Sequence, residues 1–179
     1  GANIVAADVD VDKGWGTVEL IRQSGGKAKF VRCNVARAVE GDGLVQQAIS
    51  RYGDLDIAYN NAGVECQIAA IGDATEADWD RVLSINLKGI WLCMKHELPV
   101  MVQQGRGAIV NSSSLVGLVG QRNMASYVAS KHGVVGLTRA AALDCMPNTP
   151  SAATRFSRPL STPPCCTATP VAMPSWRQN

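Results

Sequence analysis

Residues 107–144 read GAIVNSSSLVGLVGQRNMASYVASKHGVVGLTRAAALD. The stretch opens with Gly107 to Asn111, a short apolar run of strand length. It continues through Ser112, Ser113 and Ser114 toward a helix predicted over Ala125 to Leu143. That helix is small and apolar nearly all the way round, unlike a helix with one face in water. The strand is continuously apolar rather than alternating, the pattern of a parallel strand covered on both faces. A buried strand leading through a polar turn into a buried helix predicts a layered α/β arrangement.

The alternation extends toward the N-terminus. Asn3 to Val9 reads as a short buried strand, with Asp8 at its end. Residues 11–24 have helical spacing (Val11, Trp15, Val18, Leu20, Ile21) and stop at Gly25-Gly26. Ala28 to Val31 is a second strand, and residues 39–52 form a helix ended by Gly53. Leu55 to Tyr59 is a third strand, followed by Asn60-Asn61-Ala62-Gly63. Thr75 is a good N-cap with Asp78 three residues on, and the helix after it is expected to run long, to about Gln104, apolar on more than one face. Strand and helix in this order predict a doubly wound parallel sheet in one domain over residues 1–144, with an irregular tail over 145–179.

Composition fits that picture. Of the 179 residues 46% are hydrophobic and 18% charged, ordinary for a globular chain. The net charge of +2 and the absence of a basic run argue against nucleic acid or an anionic membrane as partner. No apolar stretch reaches the roughly 18 residues of a membrane span. Cys33, Cys66 and Cys93 sit singly among apolar neighbours, reading as buried free thiols and predicting a reducing, cytoplasmic setting. His96 and His132 have no suitably spaced second ligand, so no metal is expected.

Chemistry concentrates on the Ala125–Leu143 helix. Tyr127 and Lys131 are four residues apart, hence on one face and one above the other. A phenol is a poor base near neutral pH, and a neighbouring ammonium stabilises its phenolate. Ser114, thirteen residues before Tyr127, offers a hydroxyl at the end of the preceding strand. Alone, Tyr-x-x-x-Lys on a helix is a weak signal. Its surroundings add weight: Asn60-Asn61-Ala62-Gly63 after a strand, Asn86 in the long helix, Ile109-Val110-Asn111-Ser112-Ser113-Ser114, then Tyr127-x-x-x-Lys131, in one order.

This set resembles the short-chain dehydrogenase/reductase family over residues 1 to about 144. The resemblance implies a Rossmann-like doubly wound sheet and an oxidoreductase that passes hydride between NAD and an alcohol or ketone. Tyr127 would be the acid/base, Lys131 would stabilise its phenolate and bind the nicotinamide ribose, Ser114 would orient the substrate oxygen, and Asn86 would hold a water of the proton relay. Asp8 would accept hydrogen bonds from the adenosine ribose and repel a 2′-phosphate, favouring NAD over NADP, with Asp10 as its competitor. Asn34-Val35 would contact the adenine, with Asn where the family carries Asp. Asn60, Ala62 and Gly63 would let the backbone approach the cofactor. Ser112 and Ser113 are read as loop or packing residues.

The resemblance also implies a homodimer or homotetramer, because the two most apolar helices pack between subunits in the family. It places a strand and a Gly-rich turn ahead of residue 1, and a further strand and a substrate lid after Asp144, so the sheet is expected to be incomplete at both ends. The alternatives to an active dehydrogenase are a truncated inactive fragment and a dinucleotide-binding module without turnover.

From Cys145 onward the chain gathers most of its eight prolines together with many Ser and Thr, without periodicity. Back-translated and read two nucleotides on, the codons spanning Cys145 and Met146 permit Tyr-Ala. Those from Pro150 to Ala152 permit Ile-Arg, those from Ala153 to Ser157 permit Asn-Ala-Val-Leu, and those from Leu160 to Cys166 permit Val-Asp-Thr-Pro-Met-Leu. The family continues in that order, although the Val between Arg and Asn and the Gly after Pro do not fit. The tail is therefore expected to be a frameshifted reading of the family's C-terminus. The nucleotide sequence tests this: a shifted frame that meets early stops, or fails to give Asn-Ala-Val and Thr-Pro-Met, makes the tail a native Pro/Ser/Thr-rich segment.

Overall fold

A computed structural model of the chain describes residues 1–145. The expectation for the tail lies outside the described residues. Four strands and five α-helices alternate: β1 (Asn3–Asp8), α1 (Val11–Gln23), β2 (Lys27–Arg32), α2 (Ala38–Tyr52), β3 (Ile57–Asn60), α3 (Glu76–Leu83), α4 (Ile90–Gln104), β4 (Ala108–Asn111) and α5 (Ala125–Asp144).

Local chemistry sets the boundaries. Asp10 caps α1 by accepting the Lys13 N–H at 3.1 Å, and the helix stops where Gly25 takes a φ of +80°. Thr75 caps α3 through the Asp78 N–H at 3.2 Å, as the sequence predicts. β3 begins two residues later than expected. The Leu55 N–H is taken by the Gln104 side chain at 3.0 Å and the Asp54 and Asp56 carboxylates are held by Arg106, while the Asp56 carbonyl already accepts from the Ala108 N–H at 2.9 Å.

The strands form two parallel pairs. β1 pairs with β2, Asn3 opposite Lys27 through Asp8 opposite Arg32, and β3 pairs with β4, Ile57 opposite Ala108 through Asn60 opposite Asn111. Among the described residues no ladder joins the pairs. Each pair carries its own core. Val18 packs on Ala28 and Phe30 in the first; Ala58, Ile90, Met94, Met101, Ile109, Val134 and Ala141 pack together in the second. Each fully buried aliphatic side chain of this kind contributes roughly 1.5–3 kcal/mol. The pairs meet where α2 packs on α4 and where Val35, just past β2, lies against Gly89, at which a Cβ would come within 2.8 Å of the valine side chain.

The long helix runs to Gln104 as expected, with one internal irregularity. α3 and α4 are continuous but separated by a π-helical turn over Ser84–Gly89, so one extra residue is accommodated around Asn86. Asn86 is wholly buried there. Cys33, Cys66 and Cys93 are buried free thiols, and burial raises the Cys93 thiol to about 12. Among the described residues no helix is long and apolar enough to cross a membrane.

Candidate active site

β3 and β4 end side by side, and the Ser112 N–H donates to the Asn60 carbonyl at 2.9 Å. Asn61-Ala62-Gly63 and Ser112-Ser113-Ser114 therefore leave the sheet together at its carboxy end, where parallel α/β sheets bind ligands. α5 lies across this point. Lys131, 4% exposed although charged, reaches back to donate to the Ser112 carbonyl at 2.9 Å. Burial without an acidic partner pulls its ammonium below the usual lysine range. The same Nζ stands 5.6 Å from the centre of the Tyr127 ring.

The turn after β4 is locked to α5 by small residues. Ser113 donates to the Lys131 carbonyl at 3.0 Å, and Gly117 approaches so closely that a Cβ there would meet both Ser113 and the Lys131 backbone. Ser113 is thus a packing residue, as the sequence predicts. Ser114 is extended and half-buried, and among the described residues neither its hydroxyl nor that of Tyr127 has a hydrogen-bond partner.

Asn86 joins the cluster from the π-turn. Its amide mimics a peptide group, accepting the Val64 N–H at 2.8 Å and donating to the Val64 carbonyl at 2.9 Å. Its second hydrogen reaches Ser130 at 3.3 Å. Both hydrogens are donated, Oδ1 keeps one lone pair free of these bonds, and the side chain fixes the loop after Gly63. A Cβ on Gly63 would lie 3.3 Å from the Asn86 oxygen and 3.7 Å from Lys131 Nζ, so the loop, Asn86 and Lys131 converge on one point. Replacing Asn86 by Ala strands the Val64 amide and carbonyl; we expect a loss of about 2–4 kcal/mol of stability, read by urea unfolding. A loss within 0.5 kcal/mol would mean that these bonds are not made.

Of the two acids after β1, Asp10 is occupied as the α1 cap and in a 3.0 Å pair with Lys13. Asp8 is exposed at the strand's carboxy end, with one oxygen accepting the Asp10 N–H at 2.9 Å. Asn34 turns its side-chain oxygen onto the Ala36 N–H at 3.0 Å, and Val35 packs on Gly89, so both shape the loop after β2. Asp8, Asn34 and Val35 stand at the carboxy end of the first strand pair; Asn60, Ala62, Gly63, Asn86, Ser114, Tyr127 and Lys131 stand at that of the second.

Three contributors escaped the sequence reading. Ser130 accepts from Asn86 and donates to the Tyr127 carbonyl at 2.7 Å; its spacing of three from Tyr127 was the available signal. Asp78, held below the usual carboxylate range chiefly by Arg81, accepts the Gln67 N–H at 3.0 Å and so pins the loop beyond Val64. The third is Glu97, buried against Asn60.

The chain belongs to the short-chain dehydrogenase family, whose sequence pattern it matches over residues 1–150. It is 38% identical over 144 residues to a cyclohexanol dehydrogenase of an Acinetobacter strain, a match covering 80% of this chain and 57% of that protein. An NAD⁺-bound xylitol dehydrogenase superposes with a TM-score of 0.79 at 32% identity, covering 81% of this chain and 56% of the other. An actinorhodin polyketide ketoreductase with NADPH superposes at 0.76 with 33% identity, covering 79% and 54%. The chain thus spans little more than half the length of the relatives it matches.

Proposed function

We propose that this chain is the central part of an oxidoreductase that transfers hydride between NAD and an alcohol or ketone. The observation that carries the reading is the convergence of a buried Lys131, the Tyr127 ring, Gly63 and Asn86, with two hydroxyls, Ser114 and Tyr127, that have no partner among the described residues. These residues fit a dinucleotide: Gly63 leaves space beside Lys131 Nζ that a Cβ would fill, and Asp8 presents an exposed carboxylate at the end of β1.

Bound NAD would supply the hydride acceptor. Ser114 Oγ donates to the substrate oxygen and holds it toward Tyr127. In alcohol oxidation Tyr127 Oη takes the hydroxyl proton, and in ketone reduction it returns one. Lys131 stabilises the phenolate through its charge and offers its ammonium to the nicotinamide ribose. Asn86, fixed through Val64 and Ser130, holds a water of the proton relay. Asp8 selects the unphosphorylated adenosine ribose, and the backbone of Asn60, Ala62 and Gly63, with Asn34 and Val35, completes the cofactor's bed.

A cleft lined by Leu83, Leu87, Trp91 and Leu137 opens on the surface of α3, α4 and α5, with Trp91 44% exposed. We assign it to contact with a second copy in a homodimer or homotetramer, since apolar side chains grouped on adjacent helices suit an interface between like copies. The test of function is alcohol-dependent NADH formation by a full-length protein carrying this segment. Dinucleotide binding without turnover on any secondary alcohol would favour a binding module, and neither would favour an inactive fragment.

A further inference from the structure

We propose that Glu97 is a positioning residue for this site, fixing the carboxy ends of β3 and β4 against α5 through Asn60 and Asn111 and making that grip depend on pH across neutrality. Glu97 projects from α4 into the protein and is 6% exposed. Its Oε2 accepts from Asn60 Nδ2 at 2.9 Å. The same Asn60 amide donates to Asn111 Oδ1 at 3.0 Å, directly across the β3–β4 pair. Asn111 in turn donates to Thr138 on α5 at 2.9 Å and to the Met94 sulfur at 3.1 Å. One chain of polar groups thus ties α4, β3, β4 and α5 together. It lies one residue before both Asn61-Ala62-Gly63 and Ser112, whose carbonyl receives Lys131.

No cation offsets a charge at this place, since Glu97 is in none of the ion pairs among the described residues. The groups that face it are Asn60 from β3 and the Cys93 thiol from the preceding turn of α4, with the Cys33 thiol from the end of β2 beyond Cys93. The neighbouring His96 faces α2 instead, 3.4 Å from Asp42. Burial raises the Glu97 carboxyl to about 7, against the weaker opposing pull of the Asn60 bond. The folded protein therefore keeps a proton that the unfolded chain releases at ordinary carboxylate pH. Stability is fully present below that range and falls as pH rises through about 7. Above it, the ionised side chain gains by moving toward water, which withdraws it from Asn60.

The proposal rests on the reading of the site as a dinucleotide site, but its test does not. In the 179-residue chain with carboxyl-labelled glutamate, NMR should show one glutamate titrating near neutrality that is missing from Glu97→Gln. The amide signals of Asn61 to Gly63 and of Ser112 should move with the same midpoint in the parent and hold still in the Gln variant. The thermal midpoint of the parent should fall by roughly 5–10 °C from pH 5 to 8, more steeply than in Glu97→Gln. Glu97→Gln should retain the parent's low-pH melting point, whereas Glu97→Ala should not. A Glu97 carboxyl titrating in the ordinary carboxylate range, in a folded or an unfolded chain, overturns the proposal. So do loop signals that move alike in parent and Gln variant. Failure to bind NADH with the titration intact overturns only the dinucleotide reading.

Discussion

Tyr127→Phe in a full-length protein carrying this segment is expected to lower kcat by about 10²–10⁴-fold, the usual contribution of a positioned acid/base. NAD affinity should stay within about threefold, because a lost contact that acts only in the chemical step leaves ground-state binding unchanged. The geometry supports this separation. The Tyr127 ring remains in the variant, and with it the packing 5.6 Å from Lys131 Nζ. Lys131 keeps its bond to the Ser112 carbonyl, which does not involve the phenol. The hydroxyl has no partner within the described chain, so its removal leaves no buried group unsatisfied, and the melting temperature should barely move. Stopped-flow binding and steady-state turnover on one preparation check both halves. A Phe variant with near-parental kcat would remove Tyr127 from the acid/base role.

Asp8→Ser should shift the ratio of kcat/KM for NAD over NADP by about 10–100-fold toward NADP. A charged hydrogen-bond acceptor contributes roughly 1.5–3 kcal/mol, and the substitution also removes the charge that repels a 2′-phosphate. Asp10→Ser is the control, since that side chain already caps α1 and pairs with Lys13. Serine caps a helix about as well as aspartate, so Asp10→Ser should leave the ratio unchanged and stability within about 1 kcal/mol of the parent. An unchanged ratio in Asp8→Ser together with a shifted ratio in Asp10→Ser would reverse the assignment.

The fold was legible because its signals are local and redundant. Apolar runs at β1 and β4 mark parallel strands, although β1, expected to be buried, has no buried residue here, and Asp10, Thr75, Gly25 and Gly53 mark helix ends by side-chain or left-handed capping. The Tyr127–Lys131 pairing was legible because helical spacing alone puts residues i and i+4 together. The π-turn was not, since Ser84–Gly89 keeps apolar residues at helical intervals and a widened turn changes the hydrogen bonding rather than the composition. Glu97 was hidden for another reason. In Lys95-His96-Glu97 three polar residues in a row read as a water-facing stretch, yet only the first is exposed. Its partner Asn60 lies 37 residues earlier, a separation that no periodicity reports.

The π-turn also sets the rotational phase of everything that follows it. An α-helix advances about 100° per residue, so winding the same residues into an unbroken α-helix would swing the distal half by about that angle relative to α3, whereas deleting the spare residue would restore a regular helix that faces as it does now. In such an unbroken helix of unchanged length Met94 would leave the second core, Glu97 would turn away from Asn60 and Trp91 from its cleft, while the two halves would still look like good helix in isolation. The spare residue therefore works as a phase offset. It lets one continuous rod turn an amide toward Val64 at its middle and a carboxyl toward Asn60 further along, two directions that an unbroken α-helical pitch could not serve together.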